Sequence, residues 1–294
     1  MRTGAAYDQL IADLGATFRP QRTWVEGRGL FLIVGHFLSG VAAGGWLFAL
    51  WLDHRAGLVA ALVVGALAGA AHLAFLGRPE RFWMMFRVRT SWIARGFVGT
   101  NCFLAGAALY LLYPAGVPGR ALLALSVAGA AILIVYKGNV YAASKGVPFW
   151  NSPLMPILYA TYAVRGGLAL LLVLAPVSGR GTSPHGLGLI ELWVAVSAGL
   201  MLTFYLGVMR RADVAARRSV AELTRGRVAP VFYVGTVGAG LLVPIALGLT
   251  GLAETPSAAA LALVGALSLG GDLFAKYTIV KAGIYVPVMP AGRA

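Results

Sequence analysis

The chain has 294 residues, of which 59% are hydrophobic and only 12% charged, with 39 glycines and a formal net charge of +14. This excludes an ordinary soluble domain, whose surface needs about a quarter charged residues. It also excludes a nucleic-acid-binding surface, because the basic residues sit in short gaps between apolar runs, where they act as topology signals. Cys102 is the only cysteine, so the chain has no internal disulfide and cannot by itself hold an iron–sulfur cluster or a cysteine-ligated zinc.

The first segment, 1–28, carries acidic residues early and no continuous apolar core, so it reads as retained sequence rather than a cleaved signal peptide. Tyr7, Leu10, Ile11, Leu14 and Phe18 recur there at helical spacing between Asp8, Gln9 and Asp13, which predicts an amphipathic segment lying on the membrane or against a partner. Crossing about 30 Å of hydrocarbon takes roughly 20 apolar residues. Eight runs meet that length, at 29–52, 57–76, 97–113, 121–141, 153–176, 187–209, 230–251 and 257–282. The expected fold is an all-α integral membrane protein, with eight transmembrane helices in two four-helix bundles, 29–152 and 153–294, and both termini on one face.

That face also receives the gaps after the second, fourth and sixth runs. It collects Arg19, Arg22 and Arg28, then Arg78, Arg81, Arg87, Arg89 and Arg95, then Lys145, then the basic segment from Arg210 to Arg227. The opposite face has only Arg55, Arg120 and Arg180. Such a bias in short loops predicts a multi-pass protein of the inner, cytoplasmic membrane with cytoplasmic termini. The glycines of LSGVAAGGW in the first run and VGTVGAG in the seventh have the spacing of closely packed helices.

A polar group inside a span costs at least about 2.5 kcal/mol at the bilayer centre, so each needs a partner or a task. Counting along the helices places His36, His72, Tyr136, Lys137, Asn101, Asn139 and Tyr141 in one layer beneath the cytoplasmic face. A quinone headgroup has two carbonyl oxygens that become hydroxyls on reduction, so its site needs donors and acceptors that move protons. Histidine and tyrosine do this, and lysine stabilises negative charge on the reduced ring. His36, His72 and Tyr136 are the expected proton-handling groups, with Lys137, Asn101 and Asn139 binding the ring. Two histidines at one depth also suit a haem b ligated between them. Deeper in the later spans lie Arg165, Asp272, Lys276 and Glu191. These are read either as an ion pair holding the second bundle or as a proton path; a secondary transporter would use Arg165 and Asp272 as a midplane site.

The stretch HLAFLGRPERFWMMFRVRTSWIARG, residues 72–96, resembles the LGRP-containing segment between the second and third spans of the NrfD/polysulfide-reductase membrane subunit family, relatives of the dimethyl sulfoxide reductase anchor. YKGNVYAASKGVPFWNSPLMP, residues 136–156, resembles that family's segment between spans four and five, and GGDLFAKYTIVKAGIYVP, residues 270–287, its last span. The resemblance covers most of the chain. It implies an eight-span anchor that exchanges electrons between membrane quinone, ubiquinone or menaquinone, and a four-cluster iron–sulfur subunit, which serves a molybdopterin catalytic subunit. It implies no haem and no metal in this chain, partners docked on the cytoplasmic face, and Arg78 and Arg81 meeting the partner or the quinone site. The resemblance also departs from the family at two places. The anchor's quinol-binding histidine stands immediately before the LG, where this chain has Phe75, with His72 one turn earlier; the anchor's acidic residue after the loop has no counterpart near Arg95 and Gly96.

Overall fold

The computed structural model describes residues 18–77, 87–177 and 183–286. Eight of its helices are long and apolar enough to cross a membrane: α1 Gly29–Trp51, α2 Arg55–Phe75, α3 Trp92–Leu112, α4 Gly116–Ala142, α5 Leu154–Val173, α6 Pro184–Arg211, α8 Ala229–Thr250 and α9 Ala258–Lys281. A shorter amphipathic helix, α7 Val214–Arg225, lies between α6 and α8. Local chemistry sets where they begin. His54 accepts from Gly57 N at 2.8 Å, Asp213 from Ala216 N at 2.8 Å and Ser257 from Ala260 N at 3.1 Å, each satisfying an amide that the helix start leaves free. Helix α4 starts about a turn before the expected 121, because Pro118 falls in its first turn, where a missing N–H costs nothing.

Among the described residues the only strands are β1 Arg19–Pro20 and β2 Ile284–Tyr285, an antiparallel pair. Gln21 extends the clasp, its N and Nε2 donating to the carbonyls of Gly283 and Val280 at 2.9 and 2.7 Å. Helix α7 closes the same end of the molecule. Its buried stripe of Ala215, Ala216, Ser219, Val220 and Leu223 faces inward, Ser219 Oγ accepts from Ile284 N at 3.0 Å, and the Arg218 guanidinium lies over the Phe18 ring. The expected amphipathic pattern from Tyr7 to Leu14 lies outside the described residues.

Helix α1 packs on α2 and α4, α3 packs on α4, and α9 packs on α5 and α8, while α5 is pressed against both α1 and α4. The share of each span that is buried locates the centre: 72% for α1 and 67% for α5, against 22% for α2 and 28% for α3. The most enclosed part of the fold is therefore the seam between the first four spans and the last four. Outside it, Val63, Leu67, Leu200, Phe204 and Val234 are exposed, an apolar exterior that suits hydrocarbon and not water.

The seam is close because Gly44 and Gly45 of α1 meet Gly167 of α5 backbone to backbone; within the last four spans, Gly240 of α8 meets Gly271 of α9 in the same way. A methyl at Gly167 would land on the Gly44–Gly45 backbone, whereas one at Gly270 would meet nothing within 4 Å. Gly167→Ala is expected to destabilise the protein by about 1–3 kcal/mol and Gly270→Ala to leave it unchanged or slightly more stable. Thermal melts of the two variants in detergent check this, and equal midpoints would contradict the packing described.

Candidate functional site

Four side chains from three helices meet near the end of the bundle that carries α7. His72, three residues before the end of α2, is partly exposed; its Nδ1 lies 2.7 Å from Ala68 O. A carbonyl only accepts, so the proton of the neutral imidazole is on Nδ1 and Nε2 is left as an acceptor. Tyr136 of α4 fills that role, with Oη 3.2 Å from Nε2, so the phenol donates to the histidine. His36 of α1 stands beside the pair, its ring centroid 5.4 Å from His72 and 5.9 Å from Tyr136, and its Nδ1 is 3.1 Å from Tyr141 Oη. Two glycines make room. A Cβ at Gly35 would collide with the His72 ring, and one at Gly96 with the Tyr136 ring.

Beside the two pairs, Lys137 is fully buried and donates to Ser39 Oγ at 3.1 Å, and its ammonium lies 5.7 Å from the Tyr136 ring centroid. Among the described residues no carboxylate lies within ion-pair distance of it. A lysine amine buried in this way, next to two phenol–imidazole pairs, is a further group placed to donate to, or exchange a proton with, a molecule bound there. Tyr141 is fixed from behind by Trp24, Trp150 and Tyr159, with centroids at 5.5, 5.3 and 5.1 Å. Trp150 is in turn anchored by donating to Ile279 O at 3.3 Å.

A second polar group lies deeper, between α5, α6, α8 and α9. Arg165 is completely buried and donates to Asp272 Oδ1 at 2.5 Å, to Ser268 Oγ at 2.8 Å and to Gly240 O. Ser268 donates to Glu191 Oε1 at 2.7 Å, and that oxygen is 3.5 Å from Arg165 Nε. Gly240 belongs to the π-helical stretch Phe232–Leu242 of α8. Lys276 is one turn from Asp272 on α9, yet no direct ion pair joins them; its ammonium sits between the Tyr159 and Tyr162 rings, 5.3 Å from each centroid. Tyr159, Tyr162 and Arg165 follow at intervals of three along one face of α5. Between the two groups lie Tyr141, Tyr159, Lys276 and Tyr162, linked by ring and cation–π contacts, with the Tyr159 and Tyr162 hydroxyls lacking a hydrogen-bond partner among the described residues.

A family model described as polysulphide reductase, NrfD, matches residues 27–288. The chain belongs to the NrfD family. It is 30% identical over 172 residues to Protein NrfD of Escherichia coli strain K12, covering 56% of this chain and 53% of that protein. It is 26% identical over 117 residues to the C subunit of polysulfide reductase from Wolinella succinogenes, covering 38% of this chain and 37% of that protein. The chain thus spans about half the length, or less, of the curated relatives it matches. The family match contains all three stretches in which the sequence resembles NrfD proteins, and together with the eight apolar helices it makes this chain a multi-pass membrane protein.

Within this NrfD protein the expected layer divides. His36, His72, Tyr136, Lys137 and Tyr141 come together. Asn101 and Asn139 do not: the Asn101 amide is exposed and donates to Phe97 O of its own helix at 2.8 Å, and that of Asn139 donates to Val135 O at 2.9 Å. The reason is rotation about the helix, since depth alone does not fix which way a side chain turns. Arg78 and Arg81 lie outside the described residues. Arg165, Asp272 and Glu191 do meet, with Ser268 added. Tyr159, Tyr162, Ser39 and Ser268 escaped the reading of the sequence; the Tyr-x-x-Tyr-x-x-Arg spacing of α5 was the signal for the first two.

Proposed function

We propose that this chain is the quinone-reactive membrane subunit of an oxidoreductase complex, exchanging electrons between membrane quinone and the iron–sulfur subunit of a molybdopterin enzyme. Membership of a family described as polysulphide reductase supports a redox complex. The observation that carries the finer reading is the Tyr136–His72 pair, in which the Ala68 carbonyl fixes the histidine proton and thereby aims the phenol proton at Nε2. Quinol oxidation releases two electrons and two protons. A quinol hydroxyl at Tyr136 Oη hands its proton to the phenol as the phenol proton passes to His72 Nε2; Tyr141 and His36 form a second such pair for the other proton. Lys137 offers a hydrogen bond to the ring oxygen as its proton leaves. Run backwards, the same groups protonate a quinone. The electrons pass to clusters held by the partner.

His72 engages both ring nitrogens within the protein, which favours proton handling over ligation of a haem. Arg165 likewise spends its donors on Asp272, Ser268 and Gly240, which favours a fixed internal role over a transporter's substrate site. The buried residues from Tyr141 to Glu191 extend the reading to a proton path reaching toward the opposite face of the membrane. The basic end of the bundle, with Arg22, Arg28 and α7, is the cytoplasmic docking face in the inner membrane.

Tagged protein drawn gently from its own membranes is expected to bring with it an iron–sulfur protein and a molybdopterin protein. The eluate is expected to show broad visible absorption without a sharp Soret band from this chain, and to reduce or oxidise a soluble quinone analogue. Recovery of the chain alone, active in solute uptake in proteoliposomes, would overturn the proposal.

A further inference from the structure

Where α6 ends and α8 begins, α7 lies across the end of the bundle and leaves a groove of about 360 Å³. Its rim carries three guanidiniums: Arg210 from α6, Arg217 and Arg225 from α7. Among the described residues none of the three has a side-chain hydrogen bond or ion pair. No carboxylate lines the groove, because α7 turns its own acids elsewhere: Asp213 caps Ala216 N, and Glu222 pairs with Arg227 at 3.7 Å. Three unpaired cations converging on one opening repel one another and attract an anion.

The rest of the groove is not shaped for a free ion. Leu206 and Val220 supply an apolar floor, and Gly207 has open space where a side chain would stand. Tyr233 closes one side, 49% exposed, and the outer wall continues into Phe204 and Val234, 59% and 73% exposed, which face hydrocarbon. The opening is therefore charged at the height where the spans end and apolar below it. That is the profile of a phospholipid: phosphate above, acyl chain beneath. Arginine suits the phosphate because its planar fork donates two parallel hydrogen bonds to paired oxygens.

We infer that this groove is a binding site for an anionic phospholipid, whose phosphate is held among Arg210, Arg217 and Arg225 and whose acyl chain descends past Leu206 and Gly207 between α6 and α8. The site is independent of the quinone reading and lies on the far side of α7 from the β1–β2 clasp.

The test is native mass spectrometry of the complex in detergent, titrated with phosphatidylglycerol, with phosphatidylcholine and with inorganic phosphate. The wild-type protein is expected to retain phosphatidylglycerol at roughly tenfold lower lipid concentration than phosphatidylcholine, and the Arg210→Gln/Arg217→Gln/Arg225→Gln variant to lose most of that preference, as expected when about three surface cations are removed. An Arg120→Gln control, at the other end of the bundle, keeps the full preference. Millimolar inorganic phosphate is expected not to displace the lipid; displacement would mean a simple anion site and would overturn the assignment. Equal retention of both lipids by the wild type, or an undiminished preference in the triple variant, overturns it too. Loss of a partner subunit from the triple variant with lipid preference intact would assign the arginines to an acidic protein surface instead.

Discussion

Replacing Tyr136 with Phe is expected to lower quinone-linked turnover of the assembled complex by roughly 10²–10⁴-fold, the usual contribution of a positioned acid–base group. Activity of the soluble partner with an artificial dye should change by less than about twofold, because the dye bypasses the membrane site. The substitution removes one hydroxyl and keeps the ring in the slot opposite Gly96, so packing on α3 is retained. His72→Ala is expected to cost about the same, since Nε2 is the acceptor to which the Tyr136 proton is directed. The double variant decides whether the two act as one relay: its loss should match that of either single change, not the product of the two. Multiplying losses would mean two independent contacts, and unchanged turnover in Tyr136→Phe would remove the phenol from the reaction.

Much of this arrangement was legible because helix geometry converts sequence number into depth. His36 is seven residues into α1 and His72 three from the end of α2, so both fall about 5–11 Å below the same end of the bundle at 1.5 Å per residue. Arg165 and Asp272, opposite charges in apolar runs, had little alternative to finding each other, since an isolated charge there is costly. Rotation about the helix was less legible. Asn101 and Asn139 share the depth of the histidines, but a short amide has a nearer partner in the carbonyl four residues back. Tyr159 and Tyr162 were missed because a neutral phenol in a span does not demand a partner as a charge does, although their spacing to Arg165 puts all three on one face. The π-helical stretch of α8 left no sequence signal beyond its glycines, which predict close packing and not a shifted hydrogen-bond register. The basic segment at Arg210–Arg227 carries no sign of where it divides except Asp213, which caps α7 and leaves Arg210 and Arg211 on α6.

Removing either partner of the Arg165–Asp272 pair is expected to be the most damaging stability change in the chain. Both side chains are fully buried, and the loss of one strands the other's charge at a cost of about 3–5 kcal/mol. Arg165→Met strands Asp272 and Glu191 together; Asp272→Leu leaves Arg165 with one carboxylate, at 3.5 Å, and two neutral acceptors. Each single variant should accumulate poorly in membranes and melt well below the wild type in detergent. The double variant Arg165→Met/Asp272→Leu should recover the part of that loss due to Asp272, because apolar side chains of similar volume replace the Arg165–Asp272 pair, while Glu191 loses Arg165 and keeps only the hydrogen bond from Ser268. This recovery separates two roles that stability alone confounds. If the pair serves only to hold α5 against α9, the recovered protein will turn over quinone normally. A proton path through Arg165 and Asp272 requires instead that turnover stay at least about tenfold low although the protein is folded and its partners are bound. Full quinone-linked turnover in a stable double variant would end the path at Lys276 and leave Arg165, Asp272, Ser268 and Glu191 as scaffold.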